Sequence, residues 1–166
     1  MKKDSISQYY SSLQLFSLTL LRVLIGWHFL YEGFTKLFSV PAWTSKNYLL
    51  GSVGPFAPAF KAMALNTGLL HIVDKLNIWG LILIGLSLFI GLFSRPIKLC
   101  GIVLLSLYYL AYPPFPALVI NTPVEGNYWI VNKNLIEMVA LFVLFMFPTS
   151  HITGIDRYFQ KKINPS

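Results

Sequence analysis

The stretch LRVLIGWHFLYEGFTKLF, Leu21–Phe38, decides the fold. It is apolar enough for a membrane helix, yet it carries Arg22, His28, Glu32 and Lys36. A charge at the centre of a bilayer costs about 2.5–3.5 kcal/mol on insertion scales, so such residues turn toward partners or water. Helical periodicity puts His28, Glu32 and Lys36 on one face, with Arg22 near its edge. Gly26 and Gly33 define a second, narrow stripe where another helix can approach closely. A polar face and a glycine face on one span predict a packed bundle with an internal site.

Composition sets the class. Of 166 residues, 55% are hydrophobic and 11% charged, well below the roughly one quarter charged in a soluble domain. With several long apolar runs, the chain reads as an all-α integral membrane protein, one domain over residues 1–166. The formal net charge is +7, but the basic residues are scattered around apolar segments, which fits membrane topology and not nucleic-acid binding. The single cysteine, Cys100, excludes an internal disulfide or CxxC relay and gives no support to structural zinc or a cysteine-ligated iron–sulfur cluster. Lys2 and Lys3 precede an apolar run that continues through Tyr31 with charges inside it and no A-x-A-like site. An uncleaved first helix is expected there.

Four spans are expected, at about residues 15–38, 78–93, 98–112 and 129–147, the first with the roughly 20 residues a bilayer needs. Residues 41–76 carry no run long enough to cross. They are expected to form a lid of short interfacial helices, one over Ala59–Asn66, with Trp43, Tyr48 and Phe56 at headgroup level. SRPIK reads as a tight basic turn making spans two and three an antiparallel hairpin. Ser87, Gly91, Gly85 and Gly101 point to close helix packing there. A second outer loop is stiffened by Pro113, Pro114, Pro116 and Pro123. Beyond Pro148, Ile155, Phe159 and Ile163 share one side of a C-terminal amphipathic helix expected on the membrane surface. Lys2, Lys3, Arg95, Lys98, Arg157, Lys161 and Lys162 fall on one side of this arrangement, which places both termini in the cytoplasm, most simply across a bacterial inner membrane.

Two polar constellations follow. Glu137, expected about 12 Å below the outer edge of span four, is near the depth of Arg22, so an Arg22–Glu137 ion pair is expected to staple spans one and four. Nearer the outer surface, His28, Glu32 and Lys36 face Asn132, Lys133 and Asn134. Two lysines and amide donors over a lidded cavity suit an anionic or carbonyl-bearing ligand. A buried Glu32, with His28, suits proton exchange beside it. Mutual ion pairing explains the same residues without any ligand, and both readings stand at this point. Haem ligation by His28 and His71 lacks an attachment motif. Cys100 reads as a small core residue, and Tyr108, Tyr109 and Tyr112 as an interfacial belt more than a quinone box.

The ordered set LRVLIGWHFLYEGFTKL, YLLGSVGPFAPAF, WGLILIGLSLFIGLFSR, YYLAYPP and VNKNLIE resembles the DoxX/DoxD-like membrane proteins. The long loop with GSVGP and the late VNKNLIE look more like the DoxD branch. The resemblance implies a four-helix membrane protein and, in that branch, the membrane subunit of a thiosulfate:quinone oxidoreductase working with a second subunit, DoxA. Other DoxX-like proteins are linked to redox-stress complexes or serve as assembly factors and cargo receptors. Two functional expectations follow. One is a quinone-linked subunit, with quinone as substrate and no metal or covalent cofactor, in which Glu32 and His28 handle protons while Lys36, Asn132, Lys133 and Asn134 bind. The other is a non-enzymatic scaffold or assembly factor. Expected partners are the bilayer, a DoxA-like subunit and further copies of the chain, with no nucleic acid.

Overall fold

A computed structural model describes residues 10–115 and 128–158. Seven helices lie among them: α1 Ser12–Leu37, α2 Lys46–Leu50, α3 Ala57–Leu65, α4 Thr67–Ile90, α5 Ser94–Ala111, α6 Lys133–Met146 and α7 Ser150–Thr153. Beyond them the described residues hold an isolated bridge between Tyr128 and Val131 and a helical start at residues 156–158. The all-helical expectation holds. The two described helices long and apolar enough to cross a membrane are α1 and α4. By contrast α6 has 14 residues, about 21 Å of helix against a hydrocarbon core of about 30 Å.

Local chemistry sets the helix starts. Ser11 opens α1 with a reciprocal cap: its side chain accepts from Gln14 N at 3.2 Å, and Ser11 N donates to Gln14 Oε1 at 2.8 Å. Each bond satisfies an orphan donor of the helix end. Asn66 opens α4 by accepting from Leu69 N at 3.1 Å. That start corrects the expected lid, because α4 begins eleven residues before the expected Ile78. No proline interrupts residues 67–77, and Leu70 and Asn77 continue the buried face of Leu81, Ile84 and Leu88. Hydropathy alone missed this segment because His71, Asp74 and Lys75 sit in it. The lid therefore shortens to α2, α3 and their connections.

The expected turn also moves. Gly91 (φ 73) and Phe93 (φ 47) are left-handed and turn the chain, while Ser94, Arg95 and Pro96 already belong to the first turn of α5. A left-handed Phe is strained by roughly 1–2 kcal/mol. Main-chain hydrogen bonds from Ile155 and Asp156 to the carbonyls of Ile90 and Gly91, both 3.1 Å, hold this turn. Phe93 N also donates to Asp156 Oδ1 at 2.9 Å. The expected amphipathic helix is met only as far as Tyr158. Phe159, Lys161, Lys162 and Ile163 lie outside the described residues, as do Lys2, Lys3, Pro116 and Pro123.

The most extensive packing joins α1 to α4 and α5 to α6. On α1 the glycine stripe is the seam. A Cβ on Gly26 would sit 2.7 Å from Phe89 N, and one on Gly85 would sit 2.5 Å from Leu30 N. Gly33 faces Leu81 and Ile82, so the two helices run antiparallel. Gly101 meets Leu141, and Ser106 Oγ lies 3.0 Å from Met138 Sδ, which makes α5 and α6 antiparallel too. Ile25, Phe29, Leu81, Ile84, Leu88, Leu105, Leu141 and Leu144 form one core drawn from all four long helices. A smaller cluster, Leu49, Ala64 and Leu70, seats the lid on α4.

Candidate functional site

Residues of the four long helices and of the lid line a partly open cavity of about 590 Å³. This lies within the range of about 300–1,000 Å³ usual for small-molecule sites. One wall is polar: His28, Glu32 and Lys36 from successive turns of α1, and Lys133, Asn134 and Glu137 from the first two turns of α6. The rest is mostly apolar, with Phe29, Leu81, Leu104 and Leu105 below and Leu49, Phe60 and Met63 from the lid.

Two ion pairs order the polar wall. His28 Nδ1 and Glu137 Oε1 are 2.7 Å apart, with side-chain exposures of 40% and 12%. A carboxylate can only accept, so Nδ1 carries the proton and Nε2 is left for the cavity. Lys36 Nζ donates to Glu32 Oε2 at 2.6 Å and lies 5.5 Å from the centroid of the Trp43 ring, a cation–π distance. Lys133 and Asn134 make no side-chain hydrogen bond or ion pair among the described residues, so their donors are uncommitted. With neutral His28, the lining carboxylates Glu32 and Glu137 balance Lys36 and Lys133. A proton on His28 gives the wall a net positive charge.

Two expected placements are corrected. Asn132 does not line the cavity. It is buried and caps α6, its Oδ1 accepting from Leu135 N at 3.0 Å. Glu137 pairs with His28 and not with Arg22. The reason is depth: α6 starts at Lys133, not near Trp129, so Glu137 is only one turn inside its helix. Arg22 lies six residues along α1 from His28, at the hairpin end, with its Nε and Nη1 buried and without a hydrogen-bond partner. The carboxylate of Asp156 acts on it electrostatically there. Lys98, counted among the basic residues on the cytoplasmic side, is buried at the same end and donates to Leu144 O at 2.8 Å, capping the last turn of α6.

The lid is tied down by Asp74 and Ser45, which the sequence reading passed over, and by Tyr48 and Tyr112, which it placed only at the interface. Asp74 Oδ1 accepts from Ser45 N at 2.8 Å and from Ser45 Oγ at 2.5 Å. Tyr112 donates to Tyr48 O at 2.8 Å, and Val53 N donates to Ala111 O at 3.0 Å. Burial pushes the Tyr48 hydroxyl well above its ordinary range, and burial raises Tyr112 as well, so both stay protonated donors. Asn77 and Tyr108 also line the cavity, joined by Asn77 Nδ2 donating to Tyr108 Oη at 2.6 Å. The available signal was helical spacing, since Asp74, Asn77 and Leu81 follow one another at three and four residues. His71 is exposed on α4 and Cys100 is exposed on α5, and neither lines the cavity.

A family model described as DoxX matches residues 17–112, from the second turn of α1 to the end of α5. No curated protein and no solved structure matches the chain.

Proposed function

The chain belongs to the DoxX family, and from that premise we propose that it is a four-span membrane subunit of a quinone-linked oxidoreductase whose lidded cavity receives the quinone ring. Family membership and the two long apolar helices make it a membrane protein in contact with lipid. Supporting four spans, α5 and α6 also turn large apolar side chains outward, among them Leu99, Val103, Leu107, Ile136, Val139 and Phe142. The lid end then faces outward, and the hairpin end, with Arg95 and Arg157, faces the cytoplasm together with both termini. A bacterial inner membrane is the setting.

The observation that carries the reading is the cavity itself, a mostly apolar chamber with one polar wall bearing unspent donors. An apolar ring fits the chamber, and a ring carbonyl or a small anion such as thiosulfate fits Lys133 and Asn134. Reduction of a quinone takes up two electrons and two protons. Protonated His28, held at Nδ1 by Glu137, presents its Nε2–H to deliver a proton at the ligand, and the half-buried Glu32–Lys36 pair relays protons in from the outer face. Electrons come from a second, DoxA-like subunit, where thiosulfate oxidation releases them, because a chain with one cysteine has no disulfide relay of its own.

The test is a titration of the detergent-purified protein with decylubiquinone, read by quenching of Trp43, which lines the cavity, with Trp43→Phe as the control. Saturable quenching, weakened several-fold in Lys133→Met and in His28→Gln, is the expected result. No saturable binding, and no thiosulfate-dependent reduction when the neighbouring gene products are supplied, refutes the proposal.

One observation favours a second reading, that of a non-enzymatic scaffold or assembly factor: both cavity carboxylates already have side-chain partners, Lys36 for Glu32 and His28 for Glu137. Glu32→Gln and Lys36→Met separate the two. Variants that unfold in detergent favour staples, and variants that stay folded but lose the quinone favour a site.

A further inference from the structure

Asn77 and Tyr108 form a polar pole separate from the wall of α1 and α6. They belong to α4 and α5, and they line the same cavity. Asn77 is 9% exposed, and its Oδ1 is buried with no hydrogen-bond partner, although its Nδ2 donates to Tyr108 Oη at 2.6 Å. A buried amide half left unsatisfied is a standing cost. Leaving the carbonyl unmet is the cheaper of the two orientations, since buried N–H groups without partners are rarer than under-satisfied C=O groups. Tyr108 Oη therefore acts as acceptor toward Asn77, and its own proton must point elsewhere. No described residue accepts it.

We infer that Tyr108 is a ligand-binding donor, aimed by Asn77 as its positioning residue, and that the cavity grips a para-quinone by both oxygens, one at Tyr108 and one at the His28–Lys133 wall. This rests on the quinone reading above and adds the orientation of the ring. At about 590 Å³ the cavity has room for a single quinone ring between these lining groups.

The experiment uses the full chain in detergent with menadione carbon-13-labelled at one carbonyl or the other. Binding is read by Trp43 quenching and carbonyl stretching by isotope-edited infrared spectroscopy. The wild-type complex should show both carbonyl bands shifted down by hydrogen bonding. Tyr108→Phe should weaken binding about threefold to tenfold, the worth of one hydrogen bond, and return one labelled band to its unbonded frequency while the other stays shifted. Lys133→Met should release the opposite band. If Tyr108→Phe does not fold, the double variant Asn77→Leu/Tyr108→Phe removes both partners together and leaves no orphan donor, and it must release the same single band. Menadione bound with both bands unchanged in these variants overturns the role of Tyr108 and leaves the quinone reading standing. No binding to the wild type removes both.

Discussion

Two glycines on α4 make opposite predictions from one substitution. At Gly85 an added methyl would lie 2.5 Å from Leu30 N, 2.8 Å from Gly26 O and 2.8 Å from Leu30 Cγ. Two of those atoms are backbone of α1, so no rotamer change relieves the contact. The helices must separate by nearly 1 Å, and the separation runs along the seam that includes Gly26 and Gly33. Overpacking of this kind costs about 1–3 kcal/mol, and Gly85→Ala should fall at the upper end because backbone meets backbone. At Gly80, five residues earlier, an added methyl meets nothing within 4 Å. Gly80→Ala should therefore gain the helix preference of alanine over glycine, up to about 1 kcal/mol. For a chain of this length the difference amounts to a drop of about 5–10 °C in Tm for Gly85→Ala against a rise of about 2–4 °C for Gly80→Ala. Helical circular dichroism followed through thermal unfolding in one detergent reads both. Equal Tm values for the two variants would refute the seam, since any packing that leaves Gly85 as open as Gly80 is incompatible with α1 crossing there.

Three further outcomes follow from the site and its surroundings. Asn132→Ala should cost about 1 kcal/mol of stability through the lost α6 cap and leave decylubiquinone affinity unchanged; a selective loss of binding would return Asn132 to the ligand wall. Glu137→Gln keeps the shape of the His28 contact but removes its charge, so Tm should fall by the equivalent of about 1–2 kcal/mol, and an unchanged Tm would dispute the 2.7 Å pair. Burial, reinforced by Arg95, holds His151 below its ordinary value of 6.5. Its contribution is complete above pH 6.5 and is lost as pH falls below that, because the unfolded chain takes up the proton first. Chemical denaturation at stepped pH should show a shallower loss on that limb in His151→Gln, and superimposable limbs would count against the burial.

How far the sequence foretold this molecule depends on what each residue reports. Gly26, Gly33 and Gly85 were legible because a glycine stripe at helical spacing on an apolar helix has few uses besides close approach. The cluster of His28, Glu32, Lys36, Lys133 and Asn134 was legible because each charge had to face inward from lipid, and the cavity gathers all five. Asn77 and Asp74 were hidden by hydropathy, which starts a span where polarity ends, whereas α4 starts at its Asn66 cap and carries its polar first turns up into the lid. The partner of Glu137 was misassigned for a related reason. Depth was counted from an aromatic entry segment at Trp129, but Trp129 is left-handed (φ 60) and the helix begins only at Lys133.

That one-turn shift separates two kinds of charge in α1. With Glu137 near the lid, it meets His28 in a chamber open to ligand, and its charge can vary in effect as His28 gains or loses a proton. Arg22 is left at the hairpin end, 2% exposed and packed on the backbone of Gly91, where an added Cβ would come within 2.8 Å of Nη1. The same end holds Lys98 on the Leu144 carbonyl and Asp156 on the Phe93 amide. Lys98 is spent on a helix-end carbonyl, whereas Arg22 keeps Nε and Nη1 buried without a hydrogen-bond partner, so its guanidinium is held by packing. The cavity is lined by His28, Glu32, Lys36, Lys133 and Glu137 and by neither Arg22 nor Lys98, so the proposed ligand and its protons would meet the chain at the lidded end.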